Sequence, residues 1–194
     1  MKHRGGIGKI AFVLILAALC LIPALAGCGE SSPAEHIEWD VTLVGVDGRE
    51  KIISYDEILD LPSYEGRGGF FSTVGIVNGP YKAKGVMIED LCELVGGITS
   101  SDLVMVSAPD GYAMGFDYDQ VMGNIETYDL DLREVPHDEL NVLLEYEQDG
   151  KTLSDSDGNP FRIAVVGEDK LLTEGHYWVK WVDRIEVKRK AQTG

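Results

Sequence analysis

The sequence predicts an α+β domain with mixed or mostly antiparallel sheets and short helices, on three observations. Short segments of alternating apolar and polar residues recur along the chain, as expected of half-buried strands. Asp-Gly, Gly-Pro and Pro-Asp-Gly clusters punctuate them at short intervals. Only one segment, 85–97, carries sustained helical periodicity, and there is no internal repeat or low-complexity tract.

In order, Trp39 to Val46 alternates and ends at Asp47-Gly48, and Glu50 to Ser54 follows, which reads as a hairpin. Ser54 stands three residues before Glu57, the spacing of a capping box, and opens a helix through Leu61 that Pro62 stops. Gly66 to Asn78 is glycine-rich with β-branched and aromatic residues. It reads as one strand flanked by loops and ends at the turn Asn78-Gly79-Pro80. Within Gly85 to Gly97, Ile88, Leu91, Cys92 and Val95 share one helical face, and Gly96-Gly97 is the stop. That face is apolar, so Cys92 reads as a buried core thiol.

Leu103 to Ala108 reads as a strand, Pro109 to Tyr112 as a turn, and Asp117 to Met122 as a short helical turn. Leu140 to Tyr146 and Lys151 to Leu153 flank a turn at Asp149-Gly150, and Phe161 to Val166 and Trp178 to Val187 complete the strands. The segment from Asp155 to Asn159 is a turn and not an EF-hand. Its glycine, Gly158, comes at position 4 and Val166 stands where the bidentate glutamate belongs.

The N-terminus carries an address. Lys2, Arg4 and Lys9 precede the apolar run Ile10 to Ile22, with no acid before Glu30. About 13 residues are too few to span a hydrocarbon core, which takes about 20. The following Leu25-Ala26-Gly27-Cys28 resembles the lipobox of bacterial and archaeal lipoproteins. Residues 1–27 are thus expected to be a cleaved signal peptide and Cys28 the lipid-bearing residue, placing the protein on the extracytoplasmic face of a cell-envelope membrane. Residues 28–36, small, polar and proline-containing, read as a flexible tether, and 37–190 as one domain, since 167 residues remain of 194.

The leader holds three of the 17 basic and none of the 33 acidic residues. The remainder therefore sets 14 cations against 33 anions, a formal charge of −19. Such a field repels nucleic acid, so DNA or RNA binding is not expected. Cys20 leaves with the signal and Cys28 is committed to lipid, so no intramolecular disulfide is available. His36, His137 and His176 lie far apart without zinc-site spacing and read as surface or internally satisfied residues. Walker, GxGxxG and GxSxG motifs are absent.

Five stretches share an order with a known family: 54–62 (SYDEILDLP); Tyr81 to Val86 leading into Ile88 to Leu91; Asp110-Gly111-Tyr112; Gly158 to Ile163; and Val179 to Ile185. Spanning about residues 40–187, they resemble the molybdopterin-binding domain of the sulfite oxidase family. The resemblance implies that fold, a molybdenum–pterin cofactor, an arginine and a lysine near the pterin phosphate, and a cysteine thiolate on the metal. Arg162 and Lys180 occupy the basic positions, and Tyr112 joins them as an expected cofactor-binding residue. A planar fork and a point cation suit a phosphate.

The sequence departs from the family where the metal binds. The thiolate is expected at the end of the strand around Phe70 to Gly75, which contains no cysteine, and Asp157 replaces the family histidine. No metal-ligating or catalytic residue is therefore assigned, and whether the chain is an enzyme, a molybdopterin-dependent oxidoreductase as the family implies, stays open. Two readings follow: a domain that binds a cofactor or small anionic ligand, or a non-catalytic envelope module that binds a ligand or protein and has lost the molybdenum site.

Overall fold

The computed structural model describes residues 37–191. The expected signal peptide and the whole expected tether, Cys28 and His36 included, lie outside the described residues. Among the described residues thirteen strands form two sheets, accompanied by three short α-helices, an α+β architecture as expected.

The first sheet has five strands. β1 (Asp40–Val44) pairs antiparallel with β2 (Glu50–Ser54) and parallel with β13 (Arg184–Arg189). Beyond β13 lie β5 (Asp102–Ser107) and β6 (Ala113–Asp117). The β1–β2 hairpin and β5 fall where the sequence put them. Helix α1 (Tyr55–Leu59) starts as the capping box requires: the Ser54 side chain accepts from the Glu57 amide, and the Glu57 carboxylate accepts from the Ser54 amide.

The second sheet runs β10 (Lys151–Thr152), β9 (Asn141–Gln148), β4 (Val77–Met87), β3 (Tyr64–Phe71), β12 (Leu172–Glu174), β7 (Thr127–Tyr128), β8 (Glu134–Val135), with β11 (Arg162–Val166) also on β9. A double hydrogen bond between the backbones of Arg67 and Gly167 returns the chain after β11 to β3, so β3, β4, β9 and β11 curl into a closed set. Glycines permit this curl. A Cβ on Gly68 would lie 2.0 Å from the Val165 carbonyl oxygen, and one on Gly85 would lie 2.2 Å from that of Leu144. Register shifts beside both positions bend the strands.

The main core fills the space between the sheets with Val41, Leu43, Val104, Val106, Leu144, Ile163, Val165 and Ile185, closed by α1 and α2 (Ile88–Glu93). Inside the curl a second cluster gathers Ala83, Leu143, Ala164, Val166 and Trp178. β9 and β11 contribute alternate residues to both clusters. Hence their sequences are near-continuous apolar runs.

Four sequence expectations change. The stretch 66–78 is parts of two strands, because the tight turn comes at Ser72–Ile76 and β4 runs through Asn78-Gly79-Pro80. The helix of 85–97 is confined to Ile88–Glu93, since Gly85 to Met87 still pair with β9. The strand read from Trp178 starts only at Arg184, as Trp181 takes a left-handed φ of 55°. Strands β6, β7, β8 and β12 lie in segments without strand signals.

Candidate functional site

A cleft of about 700 Å³ opens where loops of the two sheets converge. Its lining comprises Phe70, Phe71, Ser72, Thr73, Gly75, Tyr112, Leu132, Glu174, Gly175 and His176.

Its walls follow from local chemistry. The β3–β4 turn closes as the Gly75 amide donates to the Ser72 carbonyl at 2.8 Å, with Gly75 at φ 79°. The Ser72 hydroxyl accepts from the Ile76 amide at 3.1 Å. β12 runs parallel beside β3 with Glu174 opposite Phe71. After it, a 3-10 turn (Gly175–Tyr177) places His176 over the cleft. Gly175 is required there, since a Cβ would sit 2.9 Å from the Phe71 carbonyl oxygen. Leu132 enters from the loop between β7 and β8, where one Asp129 carboxylate oxygen accepts from the amides of Asp131 and Arg133, each at 2.9 Å.

Tyr112 comes from the other sheet. Its amide donates to Asp110 Oδ1 at 2.9 Å in the β5–β6 turn, and its hydroxyl donates to the His176 carbonyl oxygen at 3.0 Å. That bond ties the β5–β6 turn to the 3-10 turn after β12.

His176 Nδ1 lies 2.9 Å from Glu174 Oε2, and its ring centroid lies 4.0 Å from that of Tyr177. A carboxylate can only accept, so Nδ1 carries the proton and, in the neutral ring, Nε2 is left as an acceptor. Phe71 packs edge-on against Tyr128, with centroids 5.0 Å apart. The Thr73 hydroxyl makes no hydrogen bond among the described residues. The cleft thus offers aromatic faces, hydroxyls, an imidazole and a carboxylate.

The three residues chosen from sequence do not share this site. Tyr112 lines it. Arg162 and Lys180 are brought together elsewhere, by a backbone bridge between them. Arg162 is fully buried inside the curl and stands directly opposite Glu145. Its Nε and Nη2 both donate to Glu145 Oε2, at 2.9 and 2.7 Å, and Nη2 also donates to Gln148 Oε1 at 2.7 Å. The guanidinium carbon lies 5.0 Å from the centroid of Trp178, and Asp157 is 3.8 Å from Nη1. Burial pushes the Glu145 carboxyl up to about 7, against the pull of Arg162. The Lys180 ammonium donates to the Ser156 carbonyl oxygen, and Gly158 packs against the Lys180 stem, where a Cβ would lie 2.8 Å from Lys180 Cβ.

Cys92 is 1% exposed within the main core, and burial pushes its thiol up to about 12. It is the only cysteine among the described residues, and it does not line the cleft. Among those residues no group of three or more His, Cys, Asp and Glu side chains is placed to hold a metal ion. The residues from Asp155 to Asp157 form a 3-10 turn capped by Ser154.

Sequence reasoning missed His176 and Glu174. The signal available was slight: a glycine between two polar residues, with meaning only once β12 lies beside β3.

The family model "oxidoreductase molybdopterin binding domain" matches residues 30–194. Among solved structures, the sulfane dehydrogenase SoxCD from Paracoccus pantotrophus is similar with a TM-score of 0.61 and 17% sequence identity. The match covers 80% of this chain and 39% of that one, and at this identity it speaks to the fold alone. No curated protein sequence matches the chain.

Proposed function

Because the chain belongs to the oxidoreductase molybdopterin-binding domain family, we propose that it is a lipid-anchored extracytoplasmic member in which that fold serves as a binding protein. The site is the cleft framed by Ser72, Tyr112 and His176, and its occupant is a small organic molecule. The location rests on the signal, the lipobox and Cys28.

The donor set of the cleft carries the reading. A molybdenum–pterin needs a soft sulfur ligand for the metal and cations for its phosphate. Here the lining residues offer the hydroxyls of Ser72 and Thr73 and the carboxylate of Glu174, with no cysteine, lysine or arginine among them. The described thiol is sealed in the core on α2, and Arg162 is engaged by Glu145 and Gln148. These residues do not fit the family cofactor. What they do fit is an organic ligand, since aromatic and aliphatic walls with a few directional polar groups make a binding pocket.

The test is production of the full chain in a host that makes the molybdenum cofactor, followed by metal analysis and a search for released pterin. We expect far less than one molybdenum atom per chain and no pterin. Near-stoichiometric metal with pterin would overturn the reading.

A further inference from the structure

We propose that the cleft selects a cationic organic ligand, an ammonium group on an apolar or aromatic body. The inference rests on the cleft being the ligand site and adds the ligand's charge.

The lining of the cleft divides into two kinds. Phe70, Phe71 and Tyr112 present aromatic rings and Leu132 an aliphatic cap. An organic cation is attracted to the faces of Tyr and Phe rings by their quadrupole, within about 6 Å of the centroid. The charged side chain in the lining is Glu174, whose described partner is the His176 imidazole, so the carboxylate is not neutralised by a lysine or arginine. Arg133, next to Leu132 in the β7–β8 loop, is occupied by Asp131 at 2.9 Å and Asp129 at 3.8 Å.

The field around the wall has the same sign. The Tyr128 phenol, packed on Phe71, is pushed up first by burial and then by Glu126, Glu174 and Glu134. Glu126 accepts directly from that hydroxyl at 3.2 Å. Three carboxylates thus bear on the Tyr128 ring that backs Phe71. An anion entering would meet repulsion without a compensating cation, while an ammonium would find a carboxylate and ring faces together. The excess of acids over bases in the whole chain, 33 against 17, makes the attraction long-ranged at low salt.

The experiment is isothermal titration calorimetry of the full chain in nonionic detergent, with three probes of one size: 2-phenylethylammonium, 2-phenylethanol and phenylacetate. We expect the cation to bind at least about tenfold more tightly than the alcohol, phenylacetate to bind most weakly, and the cation's affinity to fall with added salt. Glu174→Gln should cost the cation about tenfold and leave the alcohol within about twofold. Tyr112→Leu, at an exposed position with little bearing on folding, should weaken the cation more than the alcohol. If the alcohol or phenylacetate binds as tightly as the cation and Tyr112→Leu weakens it, the charge inference fails while the cleft remains the ligand site. If no probe binds at millimolar concentration, both fail.

Discussion

Arg162 and Glu145 face each other across β11 and β9, and the guanidinium sets two nitrogens on one carboxylate oxygen, Oε2, while Oε1 is buried without a hydrogen-bond partner. The pair lies on the same face as Ala164 and Val166, inside the curl, beneath Trp178. The arginine that the family resemblance sets near a pterin phosphate makes its side-chain hydrogen bonds here to Glu145 and Gln148.

Breaking this pair from one side leaves an uncompensated buried charge. Glu145→Ala should destabilise the domain by about 3–5 kcal/mol. The double change Arg162→Met, Glu145→Leu should cost clearly less, because nothing charged is stranded. Urea unfolding at pH 8 of the two variants checks this, and equal losses would show that packing, not charge, sets the cost.

The same carboxyl makes stability depend on pH. Its value is raised from the ordinary 4.5 to about 7, so between these values the folded protein binds more protons than the unfolded chain. Stability from this group is complete below 4.5 and falls as pH rises through 7. Between pH 5 and 7.5 the urea midpoint should decline more steeply for the wild type than for Glu145→Gln. Parallel curves would remove Glu145 as the cause.

Cys92 should be inert in the folded state. Its thiol is pushed up to about 12 and has 1% exposure, so thiolate is scarce and reagents are excluded. Labelling with a maleimide at pH 7.5, mapped by peptide mass, should modify Cys92 only after denaturant is added. Rapid native labelling at that peptide would contradict its place in the core.

Lipidation has its own test. Cys28→Ala should abolish incorporation of a radiolabelled fatty acid and release the protein from the membrane fraction. A variant that still sediments with membranes after carbonate washing would argue for another anchor.

The legible part of the fold was that written in local chemistry. The Ser54–Glu57 capping box and the β1–β2 hairpin depend on neighbours within a few residues, and both stand where expected. β4 was harder, because Gly79-Pro80 punctuates a sequence without ending a strand when a wide register shift absorbs the irregularity. β7, β8 and β12 are two or three residues long and exist through pairing, which leaves no periodicity to read. The site divides in the same way. Tyr112 sits in a turn with a recognisable Asp-Gly signal, whereas the partner of Arg162 is Glu145, seventeen positions away and hidden in an apolar run. His176 and Glu174 gain meaning only from the parallel pairing of β12 with β3.

The hydrogen bond from Tyr112 to the His176 carbonyl has a consequence for how this cleft can change over evolution. Apart from Phe70, Phe71 and Glu174, every residue lining it belongs to a connection between strands and not to a ladder. Substitutions at Thr73, Tyr112, Leu132 or His176 therefore alter the lining of the cleft while leaving the sheets' hydrogen bonds intact. The lining of the cleft can vary one loop at a time without disturbing the ladders that hold it.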